Sequence, residues 1–409
     1  MRLQHKRAFL GVILWLCTMI GLYWADELLW LVMYRFGFFV DSMSYVFYTQ
    51  VKCWRPPKSG RLSPGDTKNQ TWESVLSDYT TNPHQGWIVV EYPVTLGLCN
   101  RMLDITSTLL LAMATNRTLW IEWGQQLGNL SSGIEDYRMS DFNALFNSSL
   151  HQAERRPPDG MIMNASSSSM INGNECFLHE VLTSPDLGSA MLLSTDVQVY
   201  THTKHDWWGG LLLKNKHYKN SFFRNLSFTS GFPVLFRALF NPRIPSGPPA
   251  QCEWLIQYRV KLATPKWRVH PIDRFIECAV SNGMTFRDYK TTWIVTDDED
   301  HLLENASPLS RRILTQMHLP SEKLGCRGPC GDRQAVEAMY KMSGCKRAVL
   351  TFGSSFGSCI TGLAGMQPHN QFRVGRYGEC HRLPSDEPYD MNTVSRYGNT
   401  ATYMSQIRE

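Results

Sequence analysis

Strand and helix signals alternate without a break through the second half of the chain, and this alternation limits the fold more than any other feature. From Cys252 the order is "CEWLIQYRVKL", a β-branched and aromatic run; a helical period near Ile272 to Asn282; and the strand "TTWIVT". Helical periods near Leu309 to Met317 and Arg333 to Met342, the strand "RAVLTF" and a final helix from about Ser355 follow. A strand that returns to its sheet through a helix runs parallel to the strand it left, and parallel sheets are covered by helices on both faces. Residues 250–380 are therefore expected to form a doubly wound α/β domain.

A similar unit precedes it. "GWIVVEYP" (Gly86–Pro93) reads as a strand, and "RTLWIEW" as the next one. Between them, Leu103, Ile105, Leu109, Leu110 and Met113 spread round a helix wide enough to be largely buried. This β-α-β unit heads a first Rossmann-like domain over residues 84–245, and the Pro-rich Asn241–Gln251 stretch separates the two. The middle region, including "NASSSSMINGN", reads as irregular. Two domains also suit 409 residues at ~150 residues each.

The N-terminus indicates the compartment. Arg2, His5, Lys6 and Arg7 precede Ala8–Ala25, 18 uncharged residues that are just long enough to span a bilayer. Bulky Trp15, Tyr23 and Trp24 stand where a cleavage site would need small residues, so an uncleaved anchor over residues 8–25 is expected. Residues 1–7 would then be cytoplasmic and the body lumenal. Residues 26–83, with an apolar stretch broken by Arg35 and then a Pro-, Gly- and Ser-rich run from Lys52, read as a membrane-proximal segment and stem.

Glycosylation sequons at Asn69, Asn116, Asn129, Asn147, Asn164, Asn225 and Asn305 all follow the span, as do ten of the 11 cysteines. Both fit an oxidising lumen with disulfides. "CRGPC" (Cys326–Cys330), with Cys345 nearby, has a metal-like spacing but lacks a second His/Cys pair, so no metal site is expected. The net charge of +5, without a Lys/Arg tract, suits an anionic small ligand and argues against duplex nucleic acid.

Ligands of doubly wound sheets bind beyond the carboxyl ends of the strands. Three such places carry chemistry. Arg259 ends "WLIQYR", Asp297 and Asp298 end "TTWIVTDD", and "TFGSSFGSCITGLAG" leads from a strand into a helix. The helix N-terminus with Ser354 and Ser355 suits a phosphate, which Arg259 could chelate in bidentate fashion. The two aspartates could accept hydrogen bonds from a base or ribose, or serve as a turn and helix cap. Asn100 and Arg101 add a fixed guanidinium at the turn before the first buried helix.

These stretches resemble GDP-fucose-dependent fucosyltransferases, in particular the plant xyloglucan-type α1,2 family. Gly97-Leu98-Cys99-Asn100-Arg101-Met102, with "TLLLAMATNRTLWIEW" after it, is similar to that family's first block; "LIQYRV" resembles its donor-binding strand, and "TFGSSFGSCITGLAGMQP" its nucleotide-pocket block. "VTDDED" resembles the acidic strand end of related α1,6- and protein O-fucosyltransferases. Three positions depart from the pattern: Cys99 replaces a Gly, Gln257 stands where many relatives have His, and Gly353–Ser358 lacks an aromatic of the usual block.

The resemblance implies a two-domain GT-B-type fold behind the transmembrane anchor, with the acceptor on the first domain and GDP-fucose on the second. It implies donor contacts from Asn100, Arg101, Gln257, Arg259, Asp297, Asp298, Ser354, Ser355, Phe356 and Gly357, with Arg259 catalytic. Transfer would invert the anomeric centre, with no cofactor or metal, although Asp298-Glu299-Asp300 mimics an Asp-x-Asp spacing. The acceptor would be a glycan or glycoprotein, and the protein a single-pass type II Golgi membrane enzyme. The base is left to Asp206 and His205 beside Trp207 and Trp208, or to Asp104. A non-catalytic lumenal glycan-binding protein and a protein O-fucosyltransferase are alternative readings.

Overall fold

Nine strands fall into two sheets among the described residues. The first holds β1 (Trp87–Glu91), β2 (Thr118–Glu122), β3 (Met170–Asn172) and β4 (Val197–Thr201), all parallel, in the order β2-β1-β4-β3. The second holds β5 (Cys252–Tyr258), β6 (Thr292–Thr296), β7 (Cys345–Thr351), β8 (Gln371–Val374) and β9 (Cys380–Arg382), in the order β6-β5-β7-β8-β9. Only β9 runs antiparallel, against β8. This computed structural model describes residues 71–82, 86–91, 97–123, 142–148, 150, 170–172, 197–201, 228–243, 251–260, 270–319, 329–352, 354–375 and 378–383, with isolated positions between 187 and 249. The expected anchor and the Leu28–Val40 stretch lie outside them; among the described residues no helix is long and apolar enough to cross a membrane.

The helices are α1 (Trp72–Thr81), α2 (Leu98–Ala114), α3 (Phe142–Leu145), α4 (Phe228–Leu239), α5 (Ile272–Ser281), α6 (Glu299–Glu304), α7 (Pro308–Leu314), α8 (Pro329–Met342) and α9 (Ser355–Ala364). Alternation along β5 sorts its side chains between the two faces of the sheet. Trp254, Ile256 and Tyr258 join Ile272, Phe275, Ile276 and Ala279 of α5 in one core cluster. Gln257, on the opposite face, meets α9 at Gly357. Local signals set the helix ends. The Ser307 side chain caps α7 ahead of Pro308, and α9 stops at Gly365 in the left-handed conformation, φ 64°.

The Asp273 carboxylate ties α5 to α7, accepting from the Ser307 N–H at 3.2 Å and the Ser310 hydroxyl at 2.8 Å. Burial pushes its pKa up, but these hydrogen bonds outweigh that effect and leave it below the usual carboxylate range. A depressed folded-state pKa contributes stability above the unfolded value, and that contribution fades as pH falls through the folded one.

In α2, every side chain except Asn100 is buried. The helix packs on β1 and β2 and against α4 and α9, which joins the first sheet to the second. Two glycines permit the close approaches at this seam. A Cβ at Gly362 of α9 would lie 2.5 Å from the Phe232 ring of α4, and one at Gly231 would collide with the Trp72 indole of α1.

Three expectations are corrected. The segment read as stem up to residue 83 contains α1, whose Trp72, Val75 and Tyr79 are buried and whose start is fixed by a Thr71/Ser74 capping box. The middle region contributes β3 and β4, although β3 spans the Met170–Asn172 part of a predicted loop. The second sheet continues through β8 and β9, with Leu383 buried at 3% exposure, so it passes the expected boundary at residue 380.

Disulfides join Cys252 to Cys345 and Cys278 to Cys380, across 93 and 102 residues. Cys345 is thereby removed from any metal-like cluster with "CRGPC". Replacing both Cys252 and Cys345 by Ser is expected to lower stability by about 2–5 kcal/mol, read as a shift of the denaturant midpoint under non-reducing conditions.

Candidate functional site at the carboxyl ends of β5, β6 and β7

The chain leaves β5 for β6 on one side and β7 for β8 on the other, so the carboxyl ends of β5 and β7 flank the point where the winding reverses. Gln257 lies opposite Val295 of β6 and Leu350 of β7, which brings the three strand ends to one level.

Gln257 is 2% exposed and its amide is used on both sides. Its Oε1 accepts from the Thr351 N–H at 3.0 Å, and its Nε2 donates to the Ser354 hydroxyl oxygen at 3.1 Å. Thr351 Oγ1 donates to the Gln257 carbonyl at 2.8 Å and accepts from the Arg259 N–H at 2.9 Å. Thr351 therefore continues the β5–β7 pairing past the regular ladder. Sequence reading passed it over as a site residue, because only its position opposite the end of β5 distinguishes it from an ordinary strand threonine.

Ser354 occupies the N-cap position of α9 but makes no side-chain capping bond. Gly357 lies against the sheet, where a Cβ would stand 3.1 Å from Leu350 and 3.3 Å from Gln257 Oε1. It is a spacer that lets α9 approach the sheet, while Ser355 and Phe356 are half-buried on the first turn.

Arg259 follows β5 with 40% of its side chain exposed, and its Nε meets Asp297 Oδ2 at 3.0 Å. Asp297 Oδ1 also accepts from the Val260 N–H at 2.7 Å, so one carboxylate fixes both the guanidinium plane and the backbone beyond it. Asp298 takes the cap role: its Oδ1 accepts from the His301 N–H at 3.1 Å and begins α6. Burial first, then the charges of Asp273, Asp297 and Asp298, push the Tyr258 phenol up to about 12. It stays protonated at neutral pH, with its oxygen 3.3 Å from His301 Nδ1.

Arg101 meets Asp332 and Trp123. It begins inside α2 rather than on a preceding turn, is 2% exposed, and places Nη2 3.3 Å from Asp332 Oδ1 of α8. Its guanidinium also stacks over Trp123 at 4.2 Å. Neighbouring Cys99 is buried, with Sγ 3.5 Å from Met339 Sδ of α8, and its carbonyl oxygen lies 3.7 Å from Cys359 Sγ of α9. The guanidinium that the sequence places here thus fastens α2 to α8. Asn100 is half-buried beside it. Asp206 and His205 lie outside the described residues, whereas Asp104 is fully buried in α2. Of the sequons, Asn116, Asn147 and Asn305 are exposed and the other four asparagines lie outside the described residues.

No protein-family model matches the chain, and no curated protein matches it significantly. Among solved structures, a point mutant of Arabidopsis thaliana FUT1 in complex with GDP is similar with a TM-score of 0.52 at 16% identity, covering 81% of this chain and 86% of that one. That likeness establishes a shared mixed α/β fold with parallel sheets. NodZ α-1,6-fucosyltransferase soaked with GDP-fucose aligns at a TM-score of 0.39 and 13% identity over 73% of this chain and 99% of that one, too distant to add to the fold assignment.

Breaking a buried ion pair on one side strands the other charge. Arg101→Ala is therefore expected to destabilise the protein by about 3 kcal/mol or more, and Arg101→Met with Asp332→Leu by less than either single change. Equilibrium unfolding of Arg101→Ala, Arg101→Met, Asp332→Leu and the double variant checks both statements.

Proposed function

We propose that the protein transfers fucose from GDP-fucose to a hydroxyl of a glycan acceptor, with inversion and without a metal ion. The observation that carries the reading is the polar cluster at the winding reversal. An oriented guanidinium, a serine hydroxyl and an uncapped helix N-terminus lie at the strand ends of a fold shared with a GDP-bound fucosyltransferase structure. The family resemblance of the "GLCNRM", "LIQYRV" and "TFGSSFGSCITGLAGMQP" stretches supports the same donor.

In this reading the acceptor oxygen attacks the anomeric carbon opposite the diphosphate, and the bond from that carbon to the diphosphate oxygen breaks. Negative charge grows on the leaving GDP. Arg259, oriented by Asp297, offsets it together with the Ser354 hydroxyl and the first N–H groups of α9. The acceptor proton passes to a base, for which Asp206 is the candidate from sequence. The same proposal includes a Golgi type II orientation with a lumenal body, supported by the charged N-terminus, the apolar Ala8–Ala25 stretch and the sequons beyond it.

Arg259→Ala is expected to slow fucosyl transfer, or GDP-fucose hydrolysis, ~10²–10³-fold when full-length protein is assayed with chelator present. Undiminished turnover in that variant refutes the role given to Arg259. Digestion with an N-glycan-removing enzyme is expected to lower the mass of protein expressed through the secretory pathway; an unchanged mass removes the lumenal part of the proposal.

A further inference from the structure

An N-cap serine ordinarily accepts a hydrogen bond from the first turn of its own helix. Ser354 does not: its oxygen accepts from Gln257 Nε2 at 3.1 Å instead, and α9 has no side-chain cap. The orientation of the Gln257 amide is settled chemically. The Thr351 N–H can only donate, so the atom 3.0 Å from it is the amide oxygen, and the group facing Ser354 is the NH₂. An NH₂ group cannot accept, so the Ser354 proton points away from Gln257.

We propose that Gln257 is a positioning residue for phosphate binding: by occupying the Ser354 oxygen it leaves the first turn of α9 uncapped and turns the Ser354 proton outward, toward the bound phosphoanion. This rests on the diphosphate site proposed above and adds how that site is kept ready. Gly357 completes the arrangement, because a side chain there would press on Gln257 Oε1, 3.3 Å from the position of its Cβ. Gln257 lies 97 residues from Ser354, so the arrangement exists only while β5 and β7 are paired at their carboxyl ends. An amide suits this task because it carries a donor and an acceptor at one end and does not titrate.

Gln257→Glu provides the test. A carboxylate still accepts from the Thr351 N–H but cannot donate to Ser354, so it draws the hydroxyl proton inward. It also places a negative charge near the phosphates, and a double-mutant cycle cancels that effect. Full-length wild type, Ser354→Ala, Gln257→Glu and the double variant are titrated with GDP and, separately, with pyrophosphate at pH 8, each variant being checked for an unchanged unfolding transition. Ser354→Ala is expected to weaken binding about tenfold in the wild-type background, as for a hydrogen bond to a charged group, and by less than twofold in the Gln257→Glu background.

Equal losses in the two backgrounds overturn the role of Gln257. Gln257→Met, similar in length and without a donor, predicts the same collapse and replaces Gln257→Glu if the latter does not fold. If pyrophosphate shows the collapse and GDP does not bind, the positioning role stands and the nucleotide assignment falls. If folded wild type binds neither anion, both fall.

Discussion

A helix without a wet face must be covered from every side, and the architecture follows from that requirement for α2. The first sheet covers one side, α4 and α9 cover others, and α8 meets the first turn at Cys99 and Arg101. Burial of its apolar side chains therefore holds the two sheets together. Burying Leu103, Ile105, Leu109, Leu110 and Leu111, all at 0–1% exposure, is worth roughly 1.5–3 kcal/mol each, before the entropy of ordering them is subtracted. Apolar packing alone would allow the helix to slide or rotate. The Arg101–Asp332 pair, stacked on Trp123, adds a directional contact that defines one register. Aromatic rings carry the contact onward: Trp123 meets Phe142, then Phe146, Phe240, Phe236 and Phe232 at centroid distances of 5.0–5.4 Å, ending against Gly362 of α9.

The second sheet separates its roles by face. On one side Trp254, Ile256 and Tyr258 fill a core with α5. On the other, Gln257 and Ser354 form a polar junction under α9. Polar groups in that position are costly unless matched, and here both ends of the Gln257 amide have partners. Asp297 likewise uses its two oxygens on Arg259 and Val260. A carboxylate beside the arginine proposed to hold the diphosphate would be unfavourable for the anion, but it fixes the guanidinium plane, and preorganised charge avoids reorientation during reaction.

Much of this was legible in the sequence, and what was missed has identifiable physical causes. Short apolar and β-branched runs such as "WLIQY" and the helical repeat of Ile272, Phe275, Ile276 and Ala279 are local signals, so β5, β6, β7, α5 and α9 were readable and Arg259 fell at a strand end. In α1, Trp72, Val75 and Tyr79 carry the correct spacing but sit among polar neighbours in a Pro-rich stretch, which masked the helix. β3 has three residues, too few for a pattern to accumulate. The partners of Arg101 and Gln257 lie 231 and 97 residues away, and no local rule identifies them. The sequence identified Arg101 as a fixed cation; only tertiary structure showed that it holds a helix.

Cys252 and Cys345 are the first residues of β5 and β7, at the ends remote from Gln257 and Thr351. The two central strands are thus covalently clamped at one end and joined at the other by hydrogen bonds. A pair of beams clamped at one end can splay only at the free end, where movement is largest for a given bend. An oxidising environment would maintain this clamp without stiffening the opposite edge, where the diphosphate site is proposed, so oxidative folding and compliance at that edge need not compete.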